Sequence, residues 1–365
     1  MNIVKVLVID DSAFMRKLIA DLLSQDERIR VIGTARNGEE GLRKIKELNP
    51  DAVTLDVEMP VLNGLEALKI IMKTMPVPVV MLSSTTKEGA ENTFTAMEYG
   101  AVDFIAKPSG PISLDLHKIK TELTDKVVQA SKVNIKVLAD FSSIGKKTAE
   151  LKFNYSKIEP FQSIQTNRFA DESNLNVKQL ICVGTSTGGP RALQKVLVDL
   201  PGNLDAPILI VQHMPAGFTK SLASRLNGLS ALSVKEAQEG DILENGTAYI
   251  APGGFHVTAE RSGRDLVIHL DESPPRNGHR PSVDVMFESI GEIKGVRKIA
   301  VIMTGMGADG RNGLMAMKKS GEVKVIAESK ESSIVFGMPR AVIESGLADD
   351  VQKIERIAKS ILKFV

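Results

Sequence analysis

Short apolar runs that stop on polar residues organise the first hundred or so positions. Val4 to Ile9 ends on Asp10-Asp11, and Phe14, Leu18, Ile19, Leu22 and Leu23 then recur at helical spacing. Val31 to Thr34 forms a second run. Asn37-Gly38 opens a helical pattern carrying Leu42, Ile45 and Leu48, which Asn49-Pro50 ends. Ala52 to Leu55 stops on Asp56, Val77 to Leu82 on Ser83-Ser84-Thr85, and Val102 to Ala106 on Lys107-Pro108. Strand runs alternating with helical patterns predict a doubly wound α/β domain with a parallel sheet.

A helical pattern runs from about Leu114 toward Leu138. Residues 140–176 are then polar and carry no period, which predicts a linker. The chain therefore divides into residues 1–122, a linker over 123–178 with a helical start, and a second α/β domain over 179–365. In that domain three apolar runs end on chemically notable residues. Leu180 to Thr185 delivers Ser186, Pro207 to Gln212 delivers His213, and Ile299 to Met303 leads to Asp309. Further strands are expected at Ala248 to Ala251 and Val323 to Ala327. Val257 to Ala259 and Leu266 to Leu270 flank a turn at Ser262-Gly263-Arg264-Asp265 and predict a β-hairpin. Helical patterns around Pro339 to Glu344 and Val351 to Leu362 close the chain, and no internal repeat is visible.

Composition narrows the class of function. With 43% apolar and 25% charged residues among 365, the chain builds ordinary cores, and two domains are the natural expectation. A net charge of +1 gives no field that favours nucleic acid or an anionic membrane. The absence of Trp and an aromatic content of 4% argue against a stacking platform for single strands. The second half has neither a small helix-turn-helix module nor a basic stripe, so a DNA-binding output is disfavoured. One cysteine, Cys182, sits inside an apolar run and reads as a small buried hydrophobe. The N-terminus has no signal-peptide pattern, and no apolar run approaches the roughly 18–20 residues of a membrane helix. These features predict a cytoplasmic protein that neither binds nucleic acid nor inserts directly into membranes.

Asp10, Asp11, Asp56 and Lys107 all follow strand runs, and in a parallel sheet those ends share one edge. Clustered carboxylates repel one another unless a cation sits among them, and an all-oxygen set suits Mg²⁺. A metal-bound carboxylate beside a lysine can accept a phosphoryl group, because metal and ammonium neutralise the transferring oxygens. The bland alternative is that each is a turn or cap residue, a role open to Ser12 as well.

Ser, His and Asp are the set that makes a hydroxyl nucleophilic at neutral pH. Gly184-Thr185-Ser186-Thr187-Gly188 fits the G-x-S-x-G elbow, a sharp strand-to-helix turn. Alone, such a turn is equally a phosphate cradle. Its chain order of Ser, His, Asp differs from that of α/β-hydrolases. A dinucleotide site needs G-x-G-x-x-G and a later acid, and neither is present. No histidine pair has metal-ligand spacing, so zinc is not expected. Among five histidines, His117 and His269 read as structural. His256 could enter the cleft, and His279 lies in a loop without core pattern. His213 is the best base because it shares the strand-end placement of Ser186. Asp309 would orient it, or merely cap a helix. The N–H groups of Thr187 and Met306 are candidate oxyanion donors, and Arg280 with His256 are candidate substrate contacts.

Two resemblances follow from these motifs. Asp10-Asp11-Ser12, Asp56 with Met59-Pro60 and Gly64, and Gly100-Ala101 leading to Lys107-Pro108 resemble the receiver domain of bacterial response regulators, a flavodoxin-like fold. The likeness spans roughly residues 1–122. It implies that Asp56 accepts the phosphoryl group, that Asp10, Asp11 and Asp56 hold Mg²⁺, and that Lys107 contacts the phosphoryl group. Ser83 and Phe104 would be the switch residues. Gly184 to Pro190, Gln212 to Pro215, Ala251 to His256, Gly278 to Asp284 and Thr304 to Gly310 resemble the catalytic domain of the CheB family of chemotaxis methylesterases, over about 179–365. That likeness implies hydrolysis of glutamate methyl esters on chemoreceptors with release of methanol, and deamidation of receptor glutamines. It also implies a chemotaxis histidine kinase as phosphoryl donor, and no cofactor for the esterase. A binding module that docks receptors without chemistry is the alternative, and an intact Ser/His/Asp set argues against it.

Overall fold

The apolar runs are unbroken because helices cover both faces of each sheet, so neither face needs polar positions. A computed structural model describes residues 3–107, 116–133 and 175–365, with the side chains of 116–118 outside that description. Of the expected linker, residues 134–174 lie outside this description, as does the His117 side chain.

The first domain runs β1 (Val4–Ile9), α1 (Ala13–Ser24), β2 (Ile29–Ala35), α2 (Gly38–Leu48), β3 (Ala52–Asp56), α3 (Gly64–Thr74), β4 (Val79–Ser83), α4 (Lys87–Tyr99), β5 (Asp103–Ala106) and α5 (Leu116–Ala130). Its strands are ordered β2-β1-β3-β4-β5, all parallel. The order reverses between β1 and β3, which opens a crevice at their carboxyl ends. Ser12, Asn37 and Asn63 start α1, α2 and α3 by accepting from backbone N–H groups at Met15, Glu40 and Glu66. Helix α5 passes the expected boundary at 122 because Leu123, Val127 and Ala130 are buried in the first domain's apolar cluster, with the helix packed on α1, β3, β4 and β5.

The second domain contains β6 (Gln179–Thr185), α6 (Gly189–Val198), β7 (Ile208–Gln212), α7 (Phe218–Leu229), β8 (Ser233–Glu236), β9 (Thr247–Ile250), β10 (His256–Ser262) and β11 (Asp265–Asp271). It continues with α8 (Val283–Glu292), β12 (Arg297–Ile302), α9 (Arg311–Ser320), β13 (Val323–Glu328), α10 (Met338–Glu344), β14 (Asp350–Gln352) and α11 (Ile354–Phe364). Seven parallel strands are ordered β14-β13-β12-β6-β7-β9-β8. From β6 the chain first winds toward β7, then returns on the other side with β12. The switch point therefore lies between β6 and β12, beside the strand end that carries Ser186. β10 and β11 form the expected antiparallel hairpin, closed across Ser262 and Asp265. Val351, expected to begin a helix, instead lies in edge strand β14, and α11 starts at Ile354. No helix among the described residues is long and apolar enough to cross a membrane.

The domains meet along α4, β5 and α5 of the first and the strand-end surface of the second. The rings of Phe104 and Phe218 lie 4.6 Å apart between centroids. Arg225 pairs with Glu98, and the buried Arg191 donates to the Ala101 carbonyl at 3.0 Å. Burial pushes the Arg191 guanidinium down to about 10. Ile334 and Val335 share an apolar cluster with Leu123 and Val127. A cleft of about 930 Å³ opens between α5 and the second domain, lined in part by Asp125, Gln129, Met306, Arg311 and Arg340.

Candidate active site and acidic cluster

Ser186 leaves β6 half-buried on a turn that bonding from three directions fixes. Its N–H donates to the Thr304 carbonyl at 3.0 Å, which ties the β6 end to the β12 end. The Gln212 amide donates to the carbonyls of Ser186 at 2.9 Å and His213 at 3.1 Å. Its oxygen accepts from the Thr185 hydroxyl at 2.6 Å. Gly188 turns the chain into α6 with φ +79°, a conformation that favours glycine. A Cβ on Gly305 would lie 2.9 Å from Cβ of Ser186, so only glycine lets the β12 loop pass so near the elbow.

His213 Nε2 lies 2.8 Å from Oδ2 of Asp309, while its buried Nδ1 has no hydrogen-bond partner. The carboxylate accepts hydrogen bonds, so Nε2 carries the proton and Nδ1 keeps its lone pair, ready to accept. Asp309 does more than cap a helix. It also accepts from the Ser282 hydroxyl at 2.9 Å and from the N–H groups of Val283, Asp284 and Gly310. Burial would raise the Asp309 carboxyl, but His213 and these backbone donors outweigh it and hold it well below the usual carboxylate range. Asp284, buried beside it, accepts from Gly310 and Gly313, and burial raises its carboxyl.

His279 stacks on His213 with centroids 3.8 Å apart and planes 7° from parallel. Burial, then the neighbouring His213, push it down to about 4, so at neutral pH it is an uncharged plate against the base. The expectation that His256 enters the cleft fails. It is fully buried, with Nδ1 accepting from the Ser282 N–H and Nε2 3.2 Å from the Pro274 carbonyl. It supports the turn that presents Ser282 to Asp309. Arg280 donates to the carbonyls of Glu272 and Ser273. The N–H groups of Thr187 and Met306 have no backbone partner among the described residues and flank the elbow. The Thr187 hydroxyl is occupied by Asp103 of the first domain, 2.5 Å away.

In the first domain Lys107 Nζ lies 2.9 Å from Asp10 and 2.8 Å from Asp56. Asp10, Asp11 and Asp56 each offer a carboxylate oxygen within 4.8 Å of the others. Three hard oxygen donors, with one carboxylate exposed, fit a divalent cation that retains waters. Burial pushes Asp56 up to about 6 despite Lys107, so the cluster carries an unmet demand for positive charge. Ser83 ends β4 fully buried, and its hydroxyl donates to the Gly89 carbonyl at 3.0 Å rather than to Asp56. Lys126 lies over the Phe104 ring at 5.3 Å.

Replacing Asp309→Asn places an amide against His213 and favours the wrong tautomer, with an expected loss on the order of 10³–10⁴-fold. The rate at which a fluorophosphonate modifies Ser186, followed by intact mass, measures it. An unchanged rate would show that Asp309 does not orient the base.

Comparison with known proteins agrees with this arrangement. Residues 181–361 match the CheB methylesterase family model and residues 6–118 match the response regulator receiver domain. A protein-glutamate methylesterase/protein-glutamine glutaminase of Geobacillus kaustophilus is 56% identical over 365 residues, covering 100% of this chain and 99% of that protein. One of Bacillus subtilis is 47% identical over 362 residues, covering 99% of this chain and 98% of its own. The crystal structure of the Thermotoga maritima CheB methylesterase catalytic domain is 46% identical with a TM-score of 0.50, covering 51% of this chain and 98% of that one. With a receiver sheet on one side and the Ser186 elbow on the other, the chain belongs to the CheB methylesterase family.

Proposed function

We propose that the chain is a phosphorylation-activated serine hydrolase that removes methyl groups from glutamate methyl esters on chemoreceptors and deamidates receptor glutamines. The observation that carries this reading is the convergence of Ser186, His213 and Asp309 at neighbouring strand ends, with Asp309 on His213 Nε2. Ser186 Oγ attacks the side-chain carbonyl while His213 Nδ1 takes its proton. The imidazolium is stabilised by Asp309, and the N–H groups of Thr187 and Met306 receive the oxyanion. His213 then returns the proton to the leaving methoxide, and methanol departs. Water, deprotonated by the same nitrogen, hydrolyses the acyl-enzyme. A glutamine side chain follows the same path and loses ammonia.

The receiver in this reading runs from residue 1 to the end of α5 at Ala130, and 179–365 serve as the esterase, with the intervening segment joining them. Asp56 accepts a phosphoryl group from a chemotaxis histidine kinase. Asp10, Asp11 and Asp56 hold Mg²⁺, which neutralises phosphoryl oxygens when bound, and Lys107 contacts the group. Phosphorylation converts the Asp56 carboxylate into a mixed anhydride whose phosphoryl group carries roughly 1.5–2 negative charges, by analogy with other phosphorylated side chains. Lys107 follows directly on β5, the strand that presents Asp103 to Thr187 and Phe104 to Phe218. A rearrangement of Lys107 around the phosphoryl group biases that strand and loosens the domain contact, with Ser83 and Phe104 as switch residues.

Ser186→Ala abolishes methanol release from methylated receptor membranes while Asp56 phosphorylation proceeds. Substantial release by that variant would refute the assignment. A fragment beginning at residue 179, or Asp103→Ala in the whole chain, is expected to exceed the unphosphorylated parent in methanol release. Equal rates in all three would remove the receiver contact as an inhibitor. Chelating divalent cations should stop phosphorylation of Asp56 and leave the basal esterase rate unchanged. A matching loss of basal rate would place a metal in the esterase site.

A further inference from the structure

We propose that Glu328 is a positioning residue for the esterase, holding Thr304 so that one threonine sets both the nucleophile turn and the loop that carries Met306. This rests on the esterase reading above. Glu328 ends β13, the neighbour of β12, and is 1% exposed. One oxygen accepts the Thr304 N–H at 2.7 Å, and the other accepts the Ser332 hydroxyl at 2.9 Å. Ser332 Oγ in turn accepts the Ile354 N–H at 3.0 Å, which anchors the far side of the group to α11.

Thr304 distributes this restraint. Its carbonyl receives the Ser186 N–H, and its hydroxyl donates to the Thr187 carbonyl at 2.9 Å. That hydroxyl also accepts the Val335 N–H at 3.0 Å. Gly305, next along, is held at both ends by the 335–338 segment, through its N–H on Val335 and its carbonyl under Gly337 and Met338. Without an acceptor at Glu328, a buried N–H at the root of both oxyanion loops would lose its partner. Leaving such a donor unmet is costly, so the loop would move to seek another. A carboxylate serves where an apolar residue would fill the volume but not hold the N–H.

No cation contacts Glu328 among the described residues. The groups that face it are the neutral donors of Thr304 and Ser332, and Glu355 on α11 is the charge that bears on it. Burial pushes its carboxyl up to about 7, against the two donors. Below that pH it gains a proton, which competes with the Thr304 and Ser332 donors for the same oxygens. The restraint therefore weakens as pH falls through neutrality.

The test measures methanol release by the phosphorylated full-length protein on methylated receptor membranes. Wild type and Ser186→Ala serve as references, so a failure of the esterase reading shows first in that pair. Glu328→Leu is expected to lower kcat at least 10-fold with KM within twofold. Glu328→Gln, whose amide oxygen still accepts from Thr304, is expected to restore kcat to within threefold at pH 8. It should also retain a larger share of that activity at pH 6.5 than wild type does. If Glu328→Leu does not fold by circular dichroism, the Glu328→Gln pH profile decides alone. A Glu328→Leu rate within threefold of wild type, a loss confined to KM, or a Glu328→Gln profile superimposable on wild type would each overturn the proposal.

Discussion

The Asp309 carboxylate gathers the second domain's chemistry into one place. It accepts from the His213 ring, the Ser282 hydroxyl and the N–H groups of Val283, Asp284 and Gly310, so five donors converge on two oxygens. Those donors belong to the end of β7, the start of α8 and the turn into α9. A buried carboxylate is tolerable only when its lone pairs are met, and here meeting them requires three separate chain segments to arrive together. The orientation of His213 is thus a by-product of satisfying Asp309. The proton on Nε2 follows from the carboxylate, and the free lone pair on Nδ1 follows from that proton.

The parallel sheet explains why such convergence is available. All seven strands point their carboxyl ends to one edge, and the reversal of winding at β6 and β12 opens a crevice there. The same rule acts in the first domain, where β1 and β3 bring Asp10, Asp11 and Asp56 together. Two unrelated chemistries use one geometric device: polar residues that begin where an apolar run ends.

That device was legible in the sequence. The runs ending on Ser186, His213, Asp56 and Lys107 are long and apolar, so their ends could be located without a structure. The edge strands β8 and β14 escaped because Ser233–Glu236 and Asp350–Gln352 lack such runs; an edge strand is not buried on both sides. The helical pattern past residue 122 is legible, but that it belongs to the first domain's core rather than to the linker needed knowledge that its apolar face meets α1 and the sheet. Histidine roles were legible only in part. His256 and His279 both follow glycine-containing loops, and one-dimensional pattern cannot tell a ring under a backbone turn from a ring stacked on the base. Gln212 and Glu328 gave a weaker signal still: each is a polar residue closing an apolar strand, the same cue that marked Asp56. That cue points to chemistry where the residue type suits a reaction and is silent where the residue only supports a neighbour.

The contact between Thr187 and Asp103 joins the two domains at the nucleophile turn. Thr187 stands next to the nucleophile, and its hydroxyl is turned toward the receiver rather than toward substrate. Asp103 is held in place by the Phe104 N–H at 2.8 Å and by Lys126 at 3.4 Å, and Lys126 also donates to the Phe104 carbonyl at 2.7 Å. A receiver that only shaded the site would need bulk there, not a buried hydrogen bond to the elbow. The bond fixes the two domains in one register, and its cost is small because Thr187 can turn its hydroxyl to water once the domains part. A hydroxyl serves this purpose better than a charged partner. Separating a buried ion pair would leave two charges to be resolvated, whereas separating Asp103 from Thr187 leaves Asp103 with Lys126 and a neutral group beside Ser186. This one contact can therefore be specific while closed and inexpensive to break, as a contact controlled by one phosphoryl group requires.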